Sequence, residues 1–215
     1  MKENFLPAFR GINESEYHAL CAFGFIRKKT FEKGETIFST GSHVTELGLL
    51  CSGCVHIENN DLWGNKSILS VVEPGQVFAE TYALCHEALM VDAVAAEETS
   101  VVFLNLQRAL DDSQAGQSWY PKLQKNLLLM SARKNMILSG RIFCTTPKTI
   151  RGRLLTYLSE QAARSGGNAF DIPFDRQQLA DYLNVERSAL SKELGRMKNE
   201  GLIDYRKNHF ELIEK

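Results

Sequence analysis

The 215-residue sequence predicts an α+β chain: an antiparallel β-barrel or sandwich, then a long helix, then a winged helix-turn-helix. Three observations carry this. Between Phe25 and Leu104, short segments rich in Ile, Val, Phe and Thr alternate with glycine-bearing turns. From Trp119 the apolar spacing changes from period two to the helical period. After Asp175, two helix-start signals flank a tight turn, and a basic hairpin tip follows.

Composition allows this architecture. Hydrophobic residues are 44% of the chain and charged residues 24%, a globular rather than a disordered balance. The length suits two domains of ordinary size. The net charge of −1 conceals a weak asymmetry: residues 1–146 hold 13 Lys/Arg against 16 Asp/Glu, and residues 147–215 hold 12 against 10. Charge alone does not point to nucleic acid, so pattern must. No apolar run reaches the roughly 18 residues of a membrane helix. The N-terminus has no basic-then-apolar signal segment, so the expectation is a cytoplasmic protein without a membrane partner. Five cysteines, an odd number without a regular framework, fit a reducing compartment.

Asn13 and Glu16 stand at capping-box spacing and predict a short helix to about Cys21. Turn glycines follow at Gly34, Gly41, Gly53, Gly64 and Gly75. Leu47–Ile57 and Lys66–Val72 read as two strands joined by a polar turn around Asn59, Asn60, Asp61 and Gly64. Val91–Leu104 gives two more strand segments, with Glu97 and Glu98 between them. Trp119, Leu123, Leu127, Met130, Ile137 and Arg141 then lie near heptad spacing, with Lys134 in the gap and Leu128 and Leu138 widening the stripe. This predicts a helix over about Ser118–Phe143, either packed on the barrel or paired with a second copy in a coiled coil. Thr146-Pro147 restarts the chain as cap and first helical residue, which places a hinge at residues 144–147. Ile150, Leu154, Leu155 and Leu158 are the expected apolar face of the next helix, closed by Ser165-Gly166-Gly167-Asn168. The expected domains are therefore 1–117, a helix over 118–143, and 144–215.

Asp175 and Gln178 form a second capping box. Leu179, Ala180 and Leu183 face the core, Asn184-Val185 makes the turn, and a helix runs from about Glu186 to Glu200 before Gly201. Its buried face is Leu190, Leu194 and Met197. The other face carries Arg187, Ser188, Ser191, Lys192 and Arg196, the donors a major-groove reader needs. Strands at 202–205 and 210–213 enclose the turn Arg206-Lys207-Asn208-His209, a basic tip placed to meet phosphates.

These segments resemble the Crp/Fnr superfamily of transcriptional regulators over nearly the whole chain. FDRQQLADYLNVERSALSKELGRMKNEGLI is similar to its helix-turn-helix, FEKGETIFSTG to its first barrel turn, and CSGCVHI with VEPGQVFAET to its cyclic-nucleotide-binding β-barrel. The resemblance implies a jelly-roll-type sensing barrel, a homodimer joined by the long helix, double-stranded DNA with an inverted repeat as target, and RNA polymerase as a further partner. It implies base reading by Arg187, Ser188, Ser191 and Lys192, and backbone contacts by Asp175, Arg176 and Gln177. Arg196, Arg206 and Lys207 extend that basic surface. Lys192 stands where Arg is more usual, and a Lys is a point donor rather than a planar fork.

Family members that bind cyclic AMP carry a Gly-Glu pair and, about ten residues on, Arg-Ser for the phosphate. Here the corresponding residues are Ala79-Glu80 and Met90-Val91. Neither Met90 nor Val91 offers a donor to an anion, so a small-molecule effector other than a cyclic nucleotide is expected. Glu80, Thr81, Tyr82, Met90 and Val91, with Lys134 and Asn135 on the long helix, are the expected effector pocket. The iron–sulfur branch needs clustered N-terminal cysteines, and the first fifty residues hold only Cys21. Cys51 and Cys54 form a single C-x-x-C, compatible with redox or metal sensing or with two cysteines that merely flank the turn at Gly53. Nothing singles out a haem ligand among His18, His43, His56 and His86. No metal site, catalytic residue or resident cofactor is expected: a cupin-like enzyme would want closely spaced His and Glu ligands, and no H-x-H, P-loop, G-x-S-x-G or Rossmann glycine pattern occurs.

Overall fold

The structure, a computed structural model, describes residues 6–60 and 66–213. The chain divides into two compact units, 1–131 and 132–215. The expected turn at Asn59, Asn60, Asp61 and Gly64 falls partly outside the described residues.

The first unit opens with a 3-10 turn at Pro7–Phe9 and helix α1 (Glu14–Ala22). The Asn13–Glu16 capping box is formed reciprocally, each backbone N–H donating to the other side chain at 2.9 Å. Among the described residues eight strands follow: β1 (Ile26–Phe31), β2 (Thr36–Phe38), β3 (Glu46–Ser52), β4 (Val55–Asn60), β5 (Lys66–Val72), β6 (Val77–Phe78), β7 (Asp92–Ala95) and β8 (Thr99–Asn105). Helix α2 (Glu80–Cys85) lies between β6 and β7, and α3 (Leu106–Ala109) follows β8. The strands form two four-stranded antiparallel sheets, ordered β1-β8-β3-β6 and β2-β7-β4-β5.

Strands β3 and β8 of the first sheet are buried on both faces, which explains their continuous apolar runs. On β8, Val101 and Phe103 join one core cluster with Phe31, Leu50, Val55 and Phe78. Val102 and Leu104 point the other way, into a cluster with Phe9, Leu20, Leu47 and Trp119. Gly48 on β3 is required by this packing, because a Cβ there would lie 2.3 Å from the Phe78 ring.

One expected strand is two. Leu47–Ile57 breaks at Gly53, whose φ of 88° is left-handed and whose Cβ position would be 2.5 Å from the Glu98 carbonyl oxygen. The break passes the chain from one sheet to the other. The buried Thr99 hydroxyl pins it, sharing its one hydrogen between the Glu97 carbonyl at 2.8 Å and the Cys54 carbonyl at 3.1 Å and accepting from the Cys54 N–H at 3.3 Å.

Helix α4 (Tyr120–Thr145) begins in the first unit and ends in the second. The expected heptad stripe changes its task along the helix. Trp119, Leu123 and Leu127 are core residues of the first unit, with Met130 against them. Further along, Ile137 is exposed, and Arg141 donates to the carbonyls of Asp181 at 3.1 Å and Tyr182 at 3.3 Å.

In the second unit, α5 (Ile150–Ser165) is capped by Thr149, which accepts from the Gly152 N–H at 3.0 Å. Thr146 is not the cap: its hydroxyl donates back to the Ile142 carbonyl at 2.7 Å, because α4 continues through Thr145. Pro147 therefore lies in the link rather than at a first helical position. On α5, Leu154, Tyr157 and Leu158 are buried, whereas Leu155, expected on that face, is exposed. The remaining elements are β9 (Ala169–Asp171), α6 (Arg176–Tyr182), α7 (Arg187–Asn199), β10 (Ile203–Arg206) and β11 (His209–Leu212). The last two form the wing hairpin, and β9 adds a third antiparallel strand to it.

Candidate nucleic-acid interface

The capping box at Asp175 is present, with the Gln178 N–H donating to it at 2.8 Å and the Gln178 side chain accepting from the Asp175 N–H at 2.8 Å. Leu179, Ala180, Leu183, Leu190, Leu194 and Met197 are fully buried and lock α6 against α7. Asn184 takes the left-handed φ of 52° that turns the chain between them.

Glu186 caps α7. Its carboxylate accepts from the Ser188 N–H at 2.9 Å, the Ala189 N–H at 2.8 Å and the Ser188 hydroxyl. The Ser188 hydroxyl, the two N–H groups and the charge of Lys192 together hold the Glu186 carboxyl down at about 2. Arg187, Ser188, Ser191, Lys192 and Arg196 are all exposed on one side of α7. Their hydrogen-bonding capacity differs. The Ser188 hydroxyl is engaged with Glu186, and the Ser191 hydroxyl donates to the Arg187 carbonyl at 3.0 Å. Arg196 leans on Glu193 at 3.4 Å. Arg187 and Lys192 are left as the uncommitted cations of the helix, with no hydrogen bond or ion pair among the described residues.

The wing tip is Lys207-Asn208, and Lys207 has a left-handed φ of 54°. Arg206 and Lys207 are exposed there. Arg176 is half-buried instead. Its guanidinium lies 5.0 Å from the Tyr205 ring centroid and donates to the Lys207 carbonyl at 3.5 Å, so it ties the start of α6 to the wing. Gln177 is exposed and donates to Asp181 at 2.9 Å. Asp175 is occupied as a cap.

Sequence reasoning missed the residues that hold the turn. Arg153 on α5 donates to the carbonyls of Leu183 at 3.0 Å, Asn184 at 2.8 Å and Pro147 at 2.9 Å. With Arg141, it satisfies the open carbonyl end of α6. Arg151 joins α5 to α7 through Glu193 at 2.6 Å and Glu200 at 2.8 Å. Lys198 pairs with Asp204 at the root of the wing.

In the barrel unit, Glu80 is buried at the start of α2 and Tyr82 is half-buried, while Thr81 is exposed. Met90 is 74% exposed and Val91 half-buried. Ala79 occupies a left-handed φ of 63°. In the other unit, Lys134 is half-buried and Asn135 exposed. Cys51 and Cys54 are reduced thiols. Burial, with Glu97 and Glu73 nearby, pushes the Cys54 thiol up, away from the reactive thiolate. Among the described residues, no group of three or more His, Cys, Asp and Glu side chains could hold a metal ion, and no helix is long and apolar enough to cross a membrane.

Two family models match. Residues 28–111 fit the cyclic nucleotide-binding domain and residues 152–214 the Crp-like helix-turn-helix domain, together more than half of the chain. Electron transport regulator A of Shewanella oneidensis is 25% identical over 195 residues, covering 87% of this chain and 75% of its own. The cyclic AMP receptor protein of Thermus thermophilus is 24% identical over 197 residues, covering 92% and 88%. In fold, the chain is similar to the solved structure of OCPA-complexed CprK, with a TM-score of 0.62 at 16% identity over 90% of this chain and 88% of that one. A barrel of the cyclic nucleotide-binding type joined by a long helix to a Crp-like DNA-binding helix-turn-helix places the chain in the Crp/Fnr superfamily of transcriptional regulators.

Proposed function

We propose that the protein is a homodimeric regulator that reads an inverted repeat in double-stranded DNA and is gated by a small-molecule effector in its barrel. The observation that carries the DNA reading is the exposed face of α7, where Arg187 and Lys192 stand uncommitted, and the wing hairpin adds the exposed cations Arg206 and Lys207. Arg187, Ser188, Ser191 and Lys192 read base edges in this scheme, and Arg196, Arg206 and Lys207 meet phosphates, with Gln177 at the start of α6. Asp175 and Arg176 act by holding α6 rather than as free contacts.

Dimerisation is supported by a second stripe on α4. Leu128, Leu138 and Ile142 are 59–70% exposed, and Leu128, Asn135 and Ile142 recur at heptad spacing. A polar Asn at one seam position fixes register. In this reading residues 1–117 sense, the helix over 118–143 dimerises, and 144–215 bind DNA. Action on transcription would pass through RNA polymerase, in the cytoplasm, with no metal, prosthetic group or catalytic step.

The effector is not a cyclic nucleotide in this reading. Met90 and Val91 carry no charge for a phosphate, and Met90 faces solvent. Glu80, Thr81 and Tyr82 remain the proposed contacts in the barrel. The raised Cys54 thiol disfavours a thiol sensor at Cys51 and Cys54. Selection of random duplex DNA on the purified protein tests the reading. The expected pool carries a palindrome with half-site centres about 34–36 Å apart. A pool that stays random, alone and with a metabolite panel, refutes it. Tight binding of cyclic AMP in calorimetry refutes the effector reading alone.

A further inference from the structure

A groove of about 540 Å³ lies within the second unit, between the end of α4, α5 and the entry to α6. One wall is aromatic. Tyr157, Phe174 and Tyr182 pack with ring centroids 5.0–6.1 Å apart. Two guanidinium groups, Arg133 and Arg164, line the groove with the Gln161 amide, and no carboxylate is among the lining residues. Arg164 is shared with Glu160 at 2.5 Å, whereas Arg133 has no hydrogen bond or ion pair among the described residues. Gly140 forms part of the helical wall, and its Cβ position meets nothing closer than Glu160 at 3.7 Å.

One atom here is out of place for a finished core. The Tyr157 hydroxyl is buried without a hydrogen-bond partner, in a side chain only 2% exposed. Buried hydroxyls in native structures are almost always satisfied, by protein, water or ligand. Burial pushes the phenols of Tyr157 and Tyr182 up, so both stay protonated.

We propose that this groove binds a small planar aromatic carboxylate. The ring would stack on the Phe174 and Tyr182 wall, and the carboxylate would meet Arg133 and Arg164, with Gln161 and the Tyr157 hydroxyl beside it. Arg133, which no carboxylate neutralises, selects an anion beside the Arg164 that Glu160 already shares, and the three rings select a flat apolar body. The groove is lined by residues of the second unit alone. An occupant would bridge α4, α5 and α6, and so brace the first helix of the DNA-binding pair.

The test is direct titration of the full chain, without DNA, by calorimetry and saturation-transfer NMR. Benzoate and 4-hydroxybenzoate are the probes, with benzamide and acetate as controls. Both aromatic carboxylates should bind, and the controls should bind at least about tenfold more weakly, the loss of one charged contact. Tyr157→Phe and Arg133→Gln should each weaken binding about tenfold. Tyr157→Phe should leave the melting temperature unchanged or higher, because its hydroxyl has no partner in the fold. Gly140→Leu should block the groove and abolish binding. Equal binding of benzamide overturns the anion assignment. No binding by the wild type at millimolar probe, or binding unaffected by all three substitutions, overturns the site. Because no DNA enters the measurement, failure of the DNA reading would leave this outcome intact.

Discussion

Replacing Arg153 with methionine keeps the aliphatic stem and removes the three bonds that hold the helix-turn-helix turn. The guanidinium reaches the Leu183, Asn184 and Pro147 carbonyls at 2.8–3.0 Å. A hydrogen bond to a charged group contributes about 1.5–3 kcal/mol. The Asn184 bond is exposed, and water replaces it. The Leu183 and Pro147 bonds are half-buried. Counting only those two at the lower figure, Arg153→Met should destabilise the second unit by about 3 kcal/mol, or roughly 150-fold in its folded ratio. Hydrogen exchange on amides of residues 176–199 reads this loss. Trp119 is a core residue of the first unit, so the urea transition of its near-UV circular dichroism or fluorescence signal should not move. A change below about 0.5 kcal/mol in residues 176–199, the range of an ordinary surface substitution, would refute the bracing role.

Three further outcomes follow from the geometry. Arg187→Ala and Lys192→Ala should each cost about 1–3 kcal/mol of affinity for the selected site in fluorescence anisotropy, and Arg206→Ala should lower the salt slope by about 1. Ala79→Gly should stabilise the first unit by about 1 kcal/mol in urea denaturation, since Ala at a φ of 63° is strained and Gly is not. Glu186 has a folded value held at about 2, below its ordinary 4.5. The stability it contributes is present above pH 4.5 and lost as pH falls toward 2, so Glu186→Gln should flatten the acid side of the second unit's stability profile without steepening it.

Local chemistry was legible in the sequence, and distant chemistry was not. The capping boxes at Asn13 and Asp175 depend on residues three apart, and both formed as read. The apolar faces of α6 and α7 follow from helical spacing within one element. The Thr146 cap was misplaced because Thr146 and Thr149 offer the same signal, and only the continuation of α4 through Thr145 separates them. The strand break at Gly53 was masked by an unbroken β-forming run around it. Arg151, Arg153 and Arg141 act across thirty or more residues, and no spacing rule marks a basic residue that will donate to carbonyls on another helix. Tyr157 was invisible for the same reason, because its place in the groove depends on Phe174 and Tyr182 from other elements.

The pairing of β1 with β8 aligns Ile26 with Leu104 and Phe31 with Thr99. The first sheet of the barrel therefore joins the two ends of its own domain, and β1 has no neighbour in that sheet until β8 has been synthesised. Closing so large a loop comes before any of its contacts can form, which makes such topologies slow. The wing hairpin, by contrast, joins residues separated by a two-residue tip. Refolding from denaturant should accordingly show a fast phase in the DNA-binding unit and a slow one in the barrel, with Trp119 reporting the slow phase. On the ribosome, the half made first has to wait for most of its own length, while the half made last completes its turns almost as they emerge.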